Sequence, residues 1–139
     1  MITQTLCSVF KLNLLKGLED FDPGSAYTYK IALYDAFADL GADTTVYTTT
    51  NEVTGGGYTA GGNTLTKVAP SLSGTTAIVT FNTVTWNPAT FSARCALIYN
   101  STTNAAVAVL DFGATKTAGG TFTITFPVAN ASSAIIRIS

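Results

Sequence analysis

From Tyr27 to the C-terminus the chain repeats in twos. In Tyr27-Thr28-Tyr29-Lys30-Ile31-Ala32-Leu33 the odd positions are large and apolar and the even ones smaller or polar, which is the period of a strand with one buried face. Strand-like stretches return at Thr64 to Val68, Thr75 to Phe81, Val84 to Trp86, Phe91 to Tyr99, Ala105 to Phe112, Phe122 to Phe126 and Ala134 to Ile138. Turn residues separate them: Ser73-Gly74, Asn87-Pro88, Asn100 to Asn104, Gly119-Gly120 and Asn130. About eight short strands at such spacing predict a mainly-β fold, an antiparallel β-sandwich with jelly-roll or immunoglobulin-like strand order, and argue against a parallel α/β sheet. Residues Asp35 to Glu52 read equally as a loop or a short helix.

The first twenty residues follow another period. Leu6, Phe10, Leu14 and Leu18 recur every four positions, with Val9 and Phe21 widening the stripe and Gln4, Ser8, Lys11 and Lys16 on other sides. This spacing predicts an N-terminal amphipathic helix over about residues 3–21, capped by Thr3 and stopped by Asp22-Pro23-Gly24, with the sandwich over about 27–139 and the whole chain of 139 residues as one domain. The stripe either packs on its own sheet or docks on a neighbouring subunit, which makes Leu6, Phe10, Leu14 and Leu18 candidate interface residues.

Charge narrows the function. Only 11% of residues are charged and the formal net charge is -1, so no basic field attracts phosphate backbones or anionic lipid, and neither nucleic acid nor a membrane is an expected partner. The chain contains no histidine, which removes the commonest general base, the usual metal-ligating imidazole and the triads that need one. No enzyme activity and no cofactor is expected. Solubility rests instead on 25 threonines, which suit half-buried pleated surfaces but leave sheet edges without the Lys and Pro that usually block them. Such a chain is expected to assemble with copies of itself. Cys7 and Cys95 form neither a metal-binding pair nor a disulfide framework and are expected to be buried reduced thiols, a single disulfide being the alternative.

Four local features bear on a site. The run Thr54-Gly55-Gly56-Gly57-Tyr58-Thr59-Ala60-Gly61-Gly62-Asn63 lacks the Lys-Ser/Thr and following helix of a phosphate loop and reads as a turn needing positive backbone dihedrals, with Tyr58 anchoring it or presenting a ring to a partner. Glu19-Asp20-Phe21-Asp22 lacks the ligand spacing of a calcium loop, and no metal site is expected there. Asp35, Asp39, Asp43, Glu52 and Asp111 would be available to a two-carboxylate hydrolase, but nothing selects a pair. Arg94 and Asp111 each stand alone in an apolar strand; a hairpin about Ser101 to Thr103, pairing residues whose numbers sum to about 204 or 205, places them together as a structural ion pair. The sequons at Asn100 and Asn130 read as turn residues.

Several phrases together resemble small structural proteins of tailed-bacteriophage virions: Lys30-Ile31-Ala32-Leu33-Tyr34, Val46-Tyr47-Thr48-Thr49-Thr50-Asn51-Glu52-Val53 leading into Gly57-Tyr58-Thr59-Ala60-Gly61-Gly62, Ala96-Leu97-Ile98-Tyr99-Asn100, Val107-Ala108-Val109-Leu110-Asp111-Phe112-Gly113, and Phe126-Pro127 with Asn130 to Arg137. The resemblance spans nearly all of the chain after the helix. It implies a non-enzymatic component of the head, neck or tail, assembled in the bacterial host cytoplasm as a symmetric homo-oligomer, a trimer or larger ring, against other virion proteins. The alternative is a carbohydrate- or receptor-binding module in which Tyr58, Trp86 and Tyr99 stack on a host-surface glycan.

Overall fold

The computed structural model describes residues 1–139. In chain order its elements are β1 (Thr5–Leu6), α1 (Ser8–Leu15), β2 (Tyr29–Tyr34), β3 (Asn63–Thr64), β4 (Ser71–Ser73), β5 (Thr76–Val79), β6 (Val84–Ala89), β7 (Ser92–Asn100), β8 (Ala105–Thr117), β9 (Gly120–Ile124) and β10 (Ile136–Ile138). They form antiparallel sheets packed together: five strands in the order β1-β8-β7-β2-β3, three in the order β10-β5-β4, and the ribbon β6-β9. The fold is mainly β with one short helix, as the alternation predicts.

The centre of the five-stranded sheet is apolar on both faces. Ile31 to Tyr34 and Cys95 to Asn100 are all buried, because the sheet is covered on both sides and neither alternate set reaches water. One buried cluster collects residues from every sheet, including Phe10, Tyr29, Leu97, Val109, Trp86, Phe122 and Ile136. The β6-β9 ribbon keeps clean alternation: Val84, Trp86, Phe122 and Ile124 point in, while Thr85 faces Thr123 on the outside with hydroxyls 3.2 Å apart.

The N-terminal helix is shorter than its period predicts. Thr5 and Leu6 pair with Val109 and Ala108, and the Cys7 amide donates to Val107 at 2.9 Å, so sheet pairing takes the residues that would form the first turn. Cys7, not Thr3, is the N-cap, with extended dihedrals and no side-chain cap, and the Thr3 amide bonds Leu40 at 2.9 Å instead. At the other end Gly17 takes φ +71°; its amide reaches the Leu14 carbonyl at 3.2 Å and that of Leu18 reaches Asn13 at 2.9 Å. This pair of bonds is a Schellman ending, and it stops the helix before Asp22-Pro23-Gly24.

Other boundaries also move. The Thr64 strand shrinks to two residues, β4 arises where no strand was expected, and Asn87-Pro88, read as a turn, lies inside β6 at a bulge between Trp86 and Ala89. Residues 35–51 hold turns and isolated bridges without a helix.

Candidate functional site

The predicted stripe does not form one face. Leu6 lies half-buried in β1, Phe10 is buried against Phe21 with ring centroids 5.8 Å apart, Leu14 is half-buried, and Leu18 lies beyond the helix and is 42% exposed. The inner side of α1 thus packs on its own sheet. Its outer side carries a second apolar pair, Leu12 and Leu15, the latter 88% exposed. The sequence pointed to a helix apolar on one side, whereas this one is apolar on two.

The glycine-rich segment is held from inside by Glu52. Its Oε1 accepts the Tyr47 hydroxyl at 2.5 Å, and its Oε2 accepts the Tyr58 hydroxyl at 2.6 Å and the Gly61 amide at 2.8 Å. The Tyr58 oxygen in turn accepts the Leu33 amide of β2 at 2.9 Å, and the Tyr99 hydroxyl donates to the Gly61 carbonyl at 2.7 Å. Tyr47 stacks on Tyr99 with centroids 4.7 Å apart. Burial, then the Glu52 hydrogen bond, pushes the hydroxyls of Tyr58 and Tyr47 above their ordinary range, so both remain donors, and burial raises Tyr99 to about 12. Tyr58 is therefore a loop anchor with its polar end committed. This network was not read from the sequence, because Glu52 stands six residues from Tyr58 and nine from Gly61. The available signal was one acid in an uncharged stretch bracketed by tyrosines.

Arg94 and Asp111 meet. Nε donates to Oδ1 at 3.0 Å and the terminal nitrogen to Oδ2 at 3.4 Å, a two-point contact on a partly exposed surface. The register differs slightly from the expected one: Cys95 opposes Asp111 and Ala93 opposes Lys116, so Arg94 sits in a bulge and reaches diagonally. The hydrogen bond from Arg94, then that from the Gly113 amide, holds the Asp111 carboxyl below the usual range. A pair this exposed contributes little stability.

Of the aromatic residues that the alternative reading would stack on a sugar, Trp86 and Tyr99 are not presented. Trp86 and Tyr99 are each 3% exposed, Trp86 packing against Phe91 and Phe122 with its ring edges and against Tyr58 in a stack. The carboxylates weighed for hydrolysis are dispersed too: Asp35 accepts the Phe37 amide, Asp39 faces the N-terminus at 3.3 Å, and Glu52 and Asp111 are committed as described. Cys7 and Cys95 are free and buried, with burial pushing their thiols up to about 11 and about 12.

Within the acidic run, Glu19 turns inward. Its Oε2 accepts the Tyr29 hydroxyl at 2.8 Å and the Asn100 amide at 3.4 Å, while Oε1 is buried without a partner. Asp20 instead accepts the Asp22 amide at the surface. Burial raises the Glu19 pKa against the lowering effect of the two hydrogen bonds. A carboxyl raised on folding contributes its stability fully below the unfolded carboxylate pKa and loses it as pH rises through the folded one. Glu19→Gln, a mimic of the protonated form, is therefore expected to stabilise the protein at pH 8 by on the order of 1 kcal/mol and to do little at pH 4. Thermal melts of both proteins across that range check this; an equal effect at both ends would refute it.

An open groove of about 550 Å³ runs between the outer half of β8 and β9, floored by Phe112, Phe122 and Phe126. No family model matches the chain, and no curated protein or solved structure matches it.

Proposed function

We propose that this chain is a non-enzymatic structural subunit of a tailed-phage virion, working as a symmetric homo-oligomer, a trimer or larger ring, on the head, neck or tail. The observation that carries the assembly reading is its unspent apolar surface: Leu12, Leu15, Phe37 and Leu72 all stand more than half exposed on a protein with 11% charged residues. A monomer in water has little charge with which to offset such a surface, whereas a ring or a particle covers it. The virion itself enters through the resemblance of the strand phrases. In this reading the outer side of α1 faces other virion proteins and the sheet edges join copies.

Light scattering over a wide concentration range is the direct test. The expected mass is a fixed multiple of 14.4 kDa. A mass of one chain at every concentration would overturn the proposal. Leu12→Lys with Leu15→Lys is expected to leave the solution mass and melting temperature unchanged and to remove the protein from purified particles, because neither side chain is needed by the monomer's own core.

A further inference from the structure

Two strand edges lie open on either side of the groove. β1 covers β8 only at Ala108 and Val109, so the rest of that edge, residues 110–117, has no strand beside it; β9 has β6 as its one partner, so its other edge is open as well. Side chains stand where a neighbouring strand would bond. Gln4 Oε1 accepts the Asp111 amide at 2.9 Å, the place of a strand carbonyl, and the Asp111 carboxylate accepts the Gly113 amide at 2.9 Å. Between the edges the floor is Phe112, Phe122 and Phe126, while the walls carry threonines, Lys116 and Asp111, the last already paired with Arg94. A strand edge held only by side chains, above an apolar floor, suits an extended segment with an apolar side chain, whose backbone can take over those bonds.

The chain itself carries such a segment. β4 pairs only with β5, leaving its outer edge free, and Leu72 at its centre is 74% exposed, the most exposed large apolar side chain on any strand. Residues 68–75, Val-Ala-Pro-Ser-Leu-Ser-Gly-Thr, hold no charge. The two surfaces lie on opposite sides of one sheet: Ile135, next to β10, walls the groove, and β4 lies two strand spacings beyond β10, about 10 Å away. β4 cannot fold back into the groove of its own chain without leaving β5.

We infer that the groove between β8 and β9 receives the β4 edge of a second copy of this chain, with Leu72 seated over Phe112, Phe122 and Phe126. Donor and acceptor are different surfaces, so the contact is head to tail, and copies joined this way close into a ring when the rotation per step allows. The inference rests on the homo-oligomer reading above and gives it a specific joint.

The test uses the full chain and four variants. Leu72→Asp is expected to reduce the mass in solution to that of one chain without lowering the melting temperature. Ser73→Cys and Thr121→Cys, made separately, are expected to cross-link to each other when mixed and oxidised but not to themselves, and the double variant to give a ladder of covalent multimers; the native cysteines are buried and stay out of the reaction. Self-cross-linking of either single variant, or a Leu72→Asp protein that keeps its oligomeric mass without a mixed cross-link, would overturn the joint while leaving the oligomer. A monomeric unmodified protein would overturn both.

Discussion

A Gly62→Ala protein is expected to lose about 4 kcal/mol, a large share of the roughly 5–15 kcal/mol that holds an ordinary domain folded. Gly62 has φ +76°, and a Cβ there would sit 1.8 Å from the Ile31 carbonyl oxygen and 2.9 Å from the Ala32 Cα. The left-handed backbone alone costs about 1–2 kcal/mol. The remainder comes from pushing the loop off β2, because the obstacle is backbone and Ile31 is the residue that pairs with Asn63 to start β3. Gly113→Ala is the control: its φ is +81°, but nothing lies within 4 Å of the added atom, so only the backbone strain of about 1 kcal/mol is expected. Urea midpoints for the two variants measure the difference. Equal losses would mean that the loop yields at Gly62 and that its close approach to β2 is not structural.

Glu52→Ala comes next, with an expected loss of about 3 kcal/mol. The carboxylate receives three donors, from Tyr47, Tyr58 and Gly61, and removing it leaves the buried Gly61 amide with no acceptor. A hydrogen bond to a charged group contributes about 1.5–3 kcal/mol, and an abandoned buried donor costs about 1–3. The half-exposed Tyr47 hydroxyl recovers water, so the total stays below the simple sum. Glu52→Gln should lose less, since its carbonyl oxygen can face Tyr58 and Gly61 while its amide nitrogen meets the Tyr47 oxygen, which can accept. Hydrogen exchange at Gly61 separates this account from a general loss of stability: the amide should open in Glu52→Ala well before those of β7. Uniform loosening of loop and sheet would refute it.

What the sequence showed and what it hid follow from the range of the interactions. The strands with one solvent face, such as Val84 to Trp86, were legible because alternation is a local consequence of the pleat. β4 was not, for Ser71-Leu72-Ser73 buries neither face and carries no pattern. The helix was found but overextended, since four-residue spacing places Leu6 and Phe10 inward whether Leu6 ends a strand or opens a helix, and its pairing with Ala108 lies a hundred residues away. Arg94 and Asp111 were readable through a hairpin, whose pairing needs only a turn. The Glu52 network and the inward turn of Glu19 were not, because each depends on how loops cross strands that are themselves paired at long range.

The pairing of β1 with β8 also has a consequence in time. Thr5 and Leu6 leave the ribosome about a hundred residues before their partners, Val109 and Ala108. Until β8 has been translated, Thr5 and Leu6 have no strand to pair with, and α1 lacks the strand on which it packs. Synthesis at about 5–20 residues per second makes that wait several seconds or more, long enough for a chaperone to bind or for neighbouring nascent chains to meet. Folding of this region is therefore gated by β8, and a message truncated before it yields a product in which β1 has no partner strand and α1 no cover.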